Sequence, residues 1–341
     1  MKSARALFLA SVLPLAAAEL RFVEQPLEKT PGMKFTGAVF QNGALAAWGE
    51  GIAWHTLPAD KIRISPGTGL SYTEGGAMTD VDGDGRPDLI LNETGSPPHL
   101  VWLQAPDWKR HVIAAGVDTQ DILAVTLLGH RGVLVVHKQM QVRFYEMPRD
   151  LTAAWPAQDL YSFYTPSREG GLGMADIDGD GLPDILCGND WIRSPKQFDL
   201  HWRLFAINTW NEFENSAMLR TAYRNGILVA GQREMTPARL AWFEKPAADP
   251  TPQWPQHAIE GSWDRIHSLE LADFDGDGKP DLLVADAQGV AILRGITGEK
   301  VKVADGPSVR AFAADINGDG RPDVVLVRHE SVSWWRNARA H

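Results

Sequence analysis

Short apolar runs alternate with tight turns along the chain, and their order repeats. In one repeat, an apolar run at 89–91 follows a glycine-rich turn, a run at 101–105 carries an aromatic side chain, and a half-polar run occupies 108–113. Runs of this length, bounded by glycine and proline, predict short antiparallel strands. One turn glycine marks each of seven units, spaced 40 to 50 residues apart: Gly43, Gly83, Gly132, Gly179, Gly226, Gly276 and Gly318. Four strands in each of seven units predict an all-β fold, a seven-bladed β-propeller of four-stranded antiparallel blades.

The two ends of the chain together complete the predicted ring. The last unit reaches only its third strand, at 333–336, and residues 20–24 read as a strand that belongs to no other unit. Pairing these two runs would cover two sheet edges that otherwise invite aggregation. We therefore expect residues 20–24 to be the outermost strand of the last blade, which closes the ring.

Four of the seven turns carry a carboxylate or amide side chain at every second position and end in proline and aspartate. Calcium takes about six to eight oxygen ligands, which suits side chains at positions 1, 3, 5 and 9 with the backbone carbonyl of position 7. An apolar strand follows each loop where an EF-hand would have a helix, so the loops are not EF-hands. The predicted calcium ligands are Asp80, Asp82, Asp84, Arg86 and Asp88; Asp176, Asp178, Asp180, Leu182 and Asp184; Asp273, Asp275, Asp277, Lys279 and Asp281; and Asp315, Asn317, Asp319, Arg321 and Asp323.

The loops and the repeat together resemble FG-GAP or VCBS repeats, the units of integrin-α-like β-propellers, over the whole chain after residue 18. The resemblance implies a seven-bladed propeller with Ca²⁺ in the hairpin between the first and second strands of a blade. Up to four calcium ions are expected, because the other three units have no carboxylate loop. Asn317 replaces an aspartate in the fourth loop, which we expect to bind calcium most weakly.

The charge balance limits the kinds of partner that the protein can have, and the cysteine content limits how its fold can be stabilised. Lysine and arginine number 33 against 43 aspartates and glutamates, a formal charge of −10, which disfavours nucleic acid and an anionic membrane as partners. Cys187 is the only cysteine. No intramolecular disulfide can form, so we expect bound calcium to stabilise the fold instead.

The first 18 residues have the pattern of a secretory signal peptide. A basic start, an apolar stretch at 6–15 and the small residues at 16–18 occur in the required order. The apolar stretch is shorter than the roughly 20 residues that a membrane span needs. We expect cleavage near Ala18, export to the periplasm or the cell exterior, and a single propeller domain over residues 19–341.

Loops on the face opposite the calcium turns hold the candidate ligand-binding residues. In a propeller, the turns between second and third strands and the crossings between blades lie on that face. Polar side chains there surround the channel, a common place for a binding site. The ligand candidates are Asn92, Glu93, His137, Asp190, Trp191, Arg233, Glu234, Trp263, His267 and His329. If the protein is an enzyme, the catalytic candidates are Arg233, Glu234, His267 and Asp190.

Three functions are compatible with this pattern. The chain has no GxSxG elbow, HExxH helix or phosphate-binding loop. The leading hypothesis is therefore an exported, monomeric calcium-binding propeller that binds a glycan or a protein through the face opposite the calcium loops. The alternative is a polysaccharide lyase or glycoside hydrolase on the same propeller, and a third is a structural module.

Third-strand tryptophans are expected to pack between neighbouring blades: Trp102, Trp191, Trp242 and Trp334.

Overall fold

A computed structural model describes residues 19–29, 33–56, 60–64, 70–119, 121–137, 141–163, 171–210, 219–233 and 235–338. Within these residues the chain forms seven four-stranded antiparallel sheets that follow one another around a ring. The predicted seven-bladed β-propeller is confirmed. The predicted signal peptide lies outside the described residues. None of the described residues forms a helix long and apolar enough to cross a membrane.

Strands follow chain order within the first six blades, with the first strand of each innermost. The strand that comes first in the chain is β1 (Phe22–Lys29). Blade one contains β2 (Phe35–Gln41), β3 (Ala44–Gly49), β4 (Ile52–Thr56) and β5 (Asp60–Ile64). Blade two contains β6 (Tyr72–Thr79), β7 (Asp88–Glu93), β8 (His99–Gln104) and β9 (Lys109–Ala115). Blade three contains β10 (Ile122–Leu127), β11 (His130–His137), β12 (Gln141–Glu146) and β13 (Ala157–Ser162).

The same order continues through the remaining blades. Blade four contains β14 (Leu172–Ala175), β15 (Asp184–Cys187), β16 (Asp190–Arg193) and β17 (Arg203–Ala206). Blade five contains β18 (Leu219–Arg224), β19 (Ile227–Gln232), β20 (Leu240–Glu244) and β21 (Gln256–Ala258). Blade six contains β22 (Ser268–Ala272), β23 (Asp281–Ala285), β24 (Gly289–Leu293) and β25 (Lys300–Asp305). Blade seven contains β26 (Arg310–Ala314), β27 (Asp323–Arg328) and β28 (Ser331–Asn337), with β1 as its outer strand.

The N-terminal strand closes the ring, as the sequence predicts. β1 pairs antiparallel with β28, from Phe22 opposite Asn337 to Lys29 opposite Ser331, with a bulge between Pro26 and Glu28. The strand therefore extends beyond the predicted segment 20–24. The last blade thus combines strands from both ends of the chain, and its third strand has no open edge.

The hydrophobic core is divided into seven clusters, one between each pair of neighbouring blades. Every residue of β3 and β7 is buried, because a blade's middle strands face a neighbouring blade on each side. This explains why β3 has no polar side chain and why Leu89, Ile90 and Leu91 follow one another in β7 without alternating with polar residues. Trp102 and Trp191 are fully buried in two of the clusters, and Trp242 and Trp334 pack against two others.

The three turns without a carboxylate loop are two-residue hairpins. Asn42 with Gly43, Leu128 with Gly129, and Asn225 with Gly226 have positive φ at both positions. Type I′ turns require this backbone conformation, and their twist matches that of the flanking strands. In blade three the turn lies three residues before Gly132, which is inside β11.

Side chains near the channel tie the first strand of one blade to the next blade. Thr36 Oγ1 donates a hydrogen bond to the carbonyl of Tyr72, at 3.0 Å. Asp121 Oδ2 accepts the backbone N–H groups of Gly171 and Leu172, at 2.7 and 2.8 Å. These bonds satisfy backbone groups at blade crossings where no sheet partner is available.

We expect Asp121→Ala to destabilise the propeller. The change leaves two partly buried backbone donors without their acceptor, at a cost of about 1–3 kcal/mol per donor. Urea unfolding of the purified protein measures the loss. Asp118→Ala is the matched control, because that aspartate is exposed in the same loop and should change stability by less than about 0.5 kcal/mol. Equal stability of the two variants would refute the role given to Asp121.

Candidate metal centres and channel mouth

The carboxylate loops lie between the first and second strands of blades two, four, six and seven. In the first loop Asp80 Oδ1 accepts the N–H of Gly83 at 2.7 Å, and Asp80 Oδ2 accepts that of Gly85 at 2.9 Å. Both glycines have positive φ, 79° and 87°, a conformation that other residues rarely adopt. The loop can therefore fold its backbone around the carboxylate of position 1. Asp176 and Asp273 accept the same pair of glycine N–H groups in their loops.

The aspartate at position 9 is buried at the start of the second strand. Asp88 Oδ2 accepts the N–H of Val81 at 3.0 Å, and Asp88 Oδ1 accepts that of Ala105 at 2.7 Å. This one side chain ties the loop to the end of the third strand. The equivalent aspartates make the same two types of bond: Asp184, Asp281 and Asp323.

Burial changes the acidity of these aspartates. Desolvation raises the pKa of Asp88, Asp184 and Asp323 to about 6, although the backbone N–H bonds lower it in part. Burial also raises the pKa of Asp281. A carboxylate with a raised pKa is one whose negative charge is poorly compensated, and a bound cation would supply the compensation.

Three loops bring the carboxylates of positions 1, 3 and 9 together. In each, one oxygen from each of the three aspartates lies within 4.8 Å of the others. The converging sets are Asp80, Asp82 and Asp88; Asp176, Asp178 and Asp184; and Asp273, Asp275 and Asp281. Oxygen donors of this type fit a hard divalent cation such as calcium or magnesium.

The aspartates at position 5 lie outside these converging sets. Asp84 Oδ1 accepts the N–H of Arg86 at 2.8 Å, and Asp84 Oδ2 lies 2.5 Å from Nη2 of the same arginine. The other three loops repeat the bond to the N–H of position 7, so Asp180, Asp277 and Asp319 have the same arrangement. Ligation by position 5 and by the carbonyls of Arg86, Leu182, Lys279 and Arg321 stays a prediction. In the fourth loop Asn317 leaves two carboxylates, Asp315 and Asp323, at positions 1, 3 and 9.

Each aspartate at position 3 has a partner from the end of its own third strand, which sequence reasoning missed. Gln104 Nε2 donates to Asp82 Oδ2 at 2.7 Å. Arg193 Nε lies 2.6 Å from Asp178 Oδ2, and Arg294 Nη2 lies 2.6 Å from Asp275 Oδ2. The separation along the chain differs in each blade, so no fixed spacing marks these partners. In the second and third loops the aspartate at position 3 thus faces an arginine guanidinium. In the first loop it faces the neutral amide of Gln104.

On the opposite face, Arg233 and His267 lie together at the mouth of the channel. Arg233 Nη2, in blade five, lies 2.5 Å from Oε2 of Glu74 in blade two, so the ion pair spans the ring. Arg310 Nη1 lies 3.9 Å from the other oxygen of Glu74. His267 Nε2 is 3.2 Å from Ser308 Oγ. Glu74, Arg233, His267 and Ser308 line a cavity of about 410 Å³, together with Thr36, Thr73, Asp118 and Val309.

Four other candidates are buried in the blades. Asn92 forms three hydrogen bonds to backbone groups, and Glu93 binds Arg110 through both of its carboxylate oxygens at 2.5 and 2.7 Å. Trp191 and Trp263 lie in inter-blade clusters, with 0% and 4% of their surface exposed. These four side chains hold the loops and blades that surround the channel.

The remaining candidates are spread over separate blades. His137 is buried at the end of β11, and Asp190 begins β16. His329 is exposed in the turn between β27 and β28, where its carbonyl accepts the N–H of Phe35 at 2.8 Å. Glu234 lies outside the described residues. Among the candidates, only Arg233 and His267 line the mouth cavity within the described part of the chain.

The structure is similar to a solved propeller, YCF48 from Cyanidioschyzon merolae. The TM-score is 0.57 and the sequence identity 12%, over 94% of this chain and 99% of YCF48. No family model and no curated protein matches the chain. At this identity the similarity shows the fold alone, so membership in the FG-GAP or VCBS family stays a prediction.

We expect calcium to raise the melting temperature more at about pH 7.5 than at about pH 4.5. The folded-state pKa of Asp88, Asp184 and Asp323 is about 6, above the ordinary value of 3.8. Without metal, the stability that their protonated forms contribute is complete below about pH 4 and is lost as the pH rises through about 6. Calcium binds the ionised forms and should restore that loss.

Differential scanning calorimetry on metal-free protein, with and without added calcium chloride, measures the change in melting temperature that calcium causes at each of the two pH values. A shift of the same size at the two pH values would show that these carboxylates do not couple metal binding to folding.

Proposed function

We propose that the protein is an exported calcium-binding β-propeller that acts as a binding module for a glycan or another protein through its channel mouth. The observation that carries the proposal is the convergence of positions 1, 3 and 9 in three loops on one face. A cavity at the channel mouth on the opposite face, lined by Glu74, Arg233 and His267 among others, supports the second part of the proposal.

Calcium is the cation that the loops favour. Each converging set is built only of carboxylate oxygens, which suit calcium and magnesium far better than zinc or copper. Magnesium demands near-ideal octahedral geometry, whereas calcium accepts the irregular cage that a single flexible loop provides. Bound calcium would stabilise each hairpin in place of the disulfides that a single cysteine cannot form.

The mouth has the features of a recognition site. Glu74, Arg233, Arg310 and His267 come from four different blades, so the closed ring is needed to assemble them. Their charged groups are partly exposed and can exchange the ion pair for bonds to a ligand. Arginine binds carboxylates, hydroxyls and backbone carbonyls through a planar array of donors. A glycan or a protein loop could use these donors.

We expect the mature chain to bind three or four calcium ions, with the site containing Asn317 the weakest. Isothermal titration calorimetry of residues 19–341 measures the number of sites. Asp176→Asn should remove one site because it takes one charge from a converging set. Asp199→Asn, an exposed aspartate outside the loops, should leave the number unchanged. Failure to bind calcium at millimolar concentration would refute this part of the proposal.

A glycan array and a protein pull-down with calcium-loaded protein test the mouth. We expect the pair of changes Glu74→Gln with Arg233→Gln to weaken binding of the ligand about tenfold or more, as for a central contact of an interface. Removing both partners avoids leaving a buried charge unpaired. Arg203→Gln, on an exposed outer strand, is the control. Binding unaffected by the double change would place the ligand elsewhere, and new reducing or unsaturated ends on a bound glycan would favour the enzyme alternative.

A further inference from the structure

The residue that faces position 3 of a carboxylate loop occupies the same place in each blade. It directly follows the third-strand residue that pairs with position 10, the first apolar residue of the second strand. The register of the sheet thus gives Gln104 in blade two, Arg193 in blade four and Arg294 in blade six. Blade seven has Arg336 at this place, but position 3 of its loop is the neutral Asn317. The four loops therefore differ in charge at one equivalent position.

The arginines of blades four and six neutralise part of the charge of their loops. Arg193 Nε lies 2.6 Å from Asp178 Oδ2, and the aspartate side chain is 12% exposed. Arg294 Nη2 lies 2.6 Å from Asp275 Oδ2, and this aspartate side chain is 3% exposed. Both aspartates belong to converging sets of carboxylates. Because little water screens charges at this distance, each guanidinium acts directly on the place where a cation would bind.

Gln104 orients its aspartate without neutralising it. Its Nε2 atom donates a hydrogen bond to Asp82 Oδ2 at 2.7 Å. Its Oε1 atom lies 2.9 Å from Nε2 of His111, which holds the amide in one orientation. The ring of His111 is stacked on that of Trp102, with 4.3 Å between the ring centroids. The converging set of the first loop therefore keeps its full negative charge in an ordered position.

Charged side chains at position 7 lie farther from the converging carboxylates. Arg86 pairs with Asp84, which lies outside the converging set, and the arginine side chain is 56% exposed. Lys279 of the third loop is exposed as well. Solvent screens such charges, so each has a smaller effect on a bound cation than a half-buried arginine in contact with position 3.

We propose that Arg193 and Arg294 are built-in counter-ions of the second and third loops, and that the first loop, with Gln104, is the high-affinity calcium site. The inference rests on the proposed function, because it takes the loops to be calcium sites. It adds which loop binds first and which side chains decide the order. A guanidinium beside position 3 stabilises the metal-free loop and disfavours a divalent cation there, since like charges repel.

A calcium titration in competition with a calcium-binding dye of known affinity identifies the tightest site. The protein is residues 19–341, in the parent form and in three variants that each remove one carboxylate. We expect the tightest binding step to be lost in Asp82→Asn and kept in Asp178→Asn and in Asp275→Asn. Loss of this step in either of the last two variants, or its retention in Asp82→Asn, would overturn the proposal.

Exchanging the side chains between blades tests the counter-ions directly. Arg193→Gln should tighten calcium binding by the second loop about tenfold, and Gln104→Arg should weaken binding by the first loop to a similar extent, because one unit charge is removed or added next to the cation. Each new side chain occurs naturally at the equivalent place of another blade, so it fits the fold. Unchanged calcium affinity in either variant would contradict the proposal.

Melting temperatures separate a counter-ion from a purely structural ion pair. With excess chelator, Arg193→Gln should melt below the parent, because Asp178 has lost its counter-charge. Saturating calcium should reduce this difference, because the ion supplies the missing charge. Arg143→Gln is the matched control: Arg143 Nε lies 2.6 Å from Asp159 in blade three, which has no carboxylate loop. Its loss of melting temperature should be the same with and without calcium.

The outcomes distinguish this inference from the proposed function. Equal losses in Arg193→Gln with and without calcium would make Arg193 a structural residue only and overturn the counter-ion role. Absence of calcium binding by the parent protein would refute the proposed function, and this inference with it. Calcium binding that is tightest in the second or third loop would support the proposed function and refute the order of sites.

Discussion

The propeller depends on the burial of both sides of every blade. The middle strands β3 and β7 are buried at every position and their apolar side chains face neighbouring blades on both sides, so a single blade would expose two hydrophobic surfaces. Each of the seven core clusters lies between two blades and belongs to neither alone. An open row of blades would leave an apolar surface exposed at each end, and only closure of the ring buries both. Pairing of β1 with β28 meets this requirement by joining the two ends of the chain in one sheet.

Closure also separates the molecule into two chemically different faces. Turns between first and second strands all emerge on one side, where four of them carry the carboxylate loops. The beginnings of the first strands converge on the other side, where Glu74 and Arg233 meet across the channel. A metal ion bound on the first face would therefore act on the stability of the hairpins and would not contact a ligand bound at the mouth.

The buried aspartate at position 9 links each carboxylate loop to its blade. Its two oxygens hold the loop backbone and the end of the third strand, as Asp88 does with Val81 and Ala105. The same residue belongs to the converging carboxylates. A cation bound in the loop would thus act on three segments of the blade at once: the loop itself, the start of the second strand and the end of the third strand. The aspartate at position 5, in contrast, bonds mainly within its own loop.

Patterns in the sequence were sufficient to predict the number of blades, the four strands in each, the closing strand and the positions of the carboxylate loops. The closing strand follows from the missing fourth strand of the last unit. The other features are repeated along the chain, and each depends on neighbouring residues such as the glycines that turn the loop around Asp80. Only the tertiary structure showed that Asn92 and Glu93 are buried, that Arg294 pairs with Asp275, and that Arg233 reaches Glu74. Such contacts join residues from different strands or from opposite sides of the ring. Their distance in the folded protein follows from blade geometry, which no local pattern of side chains encodes.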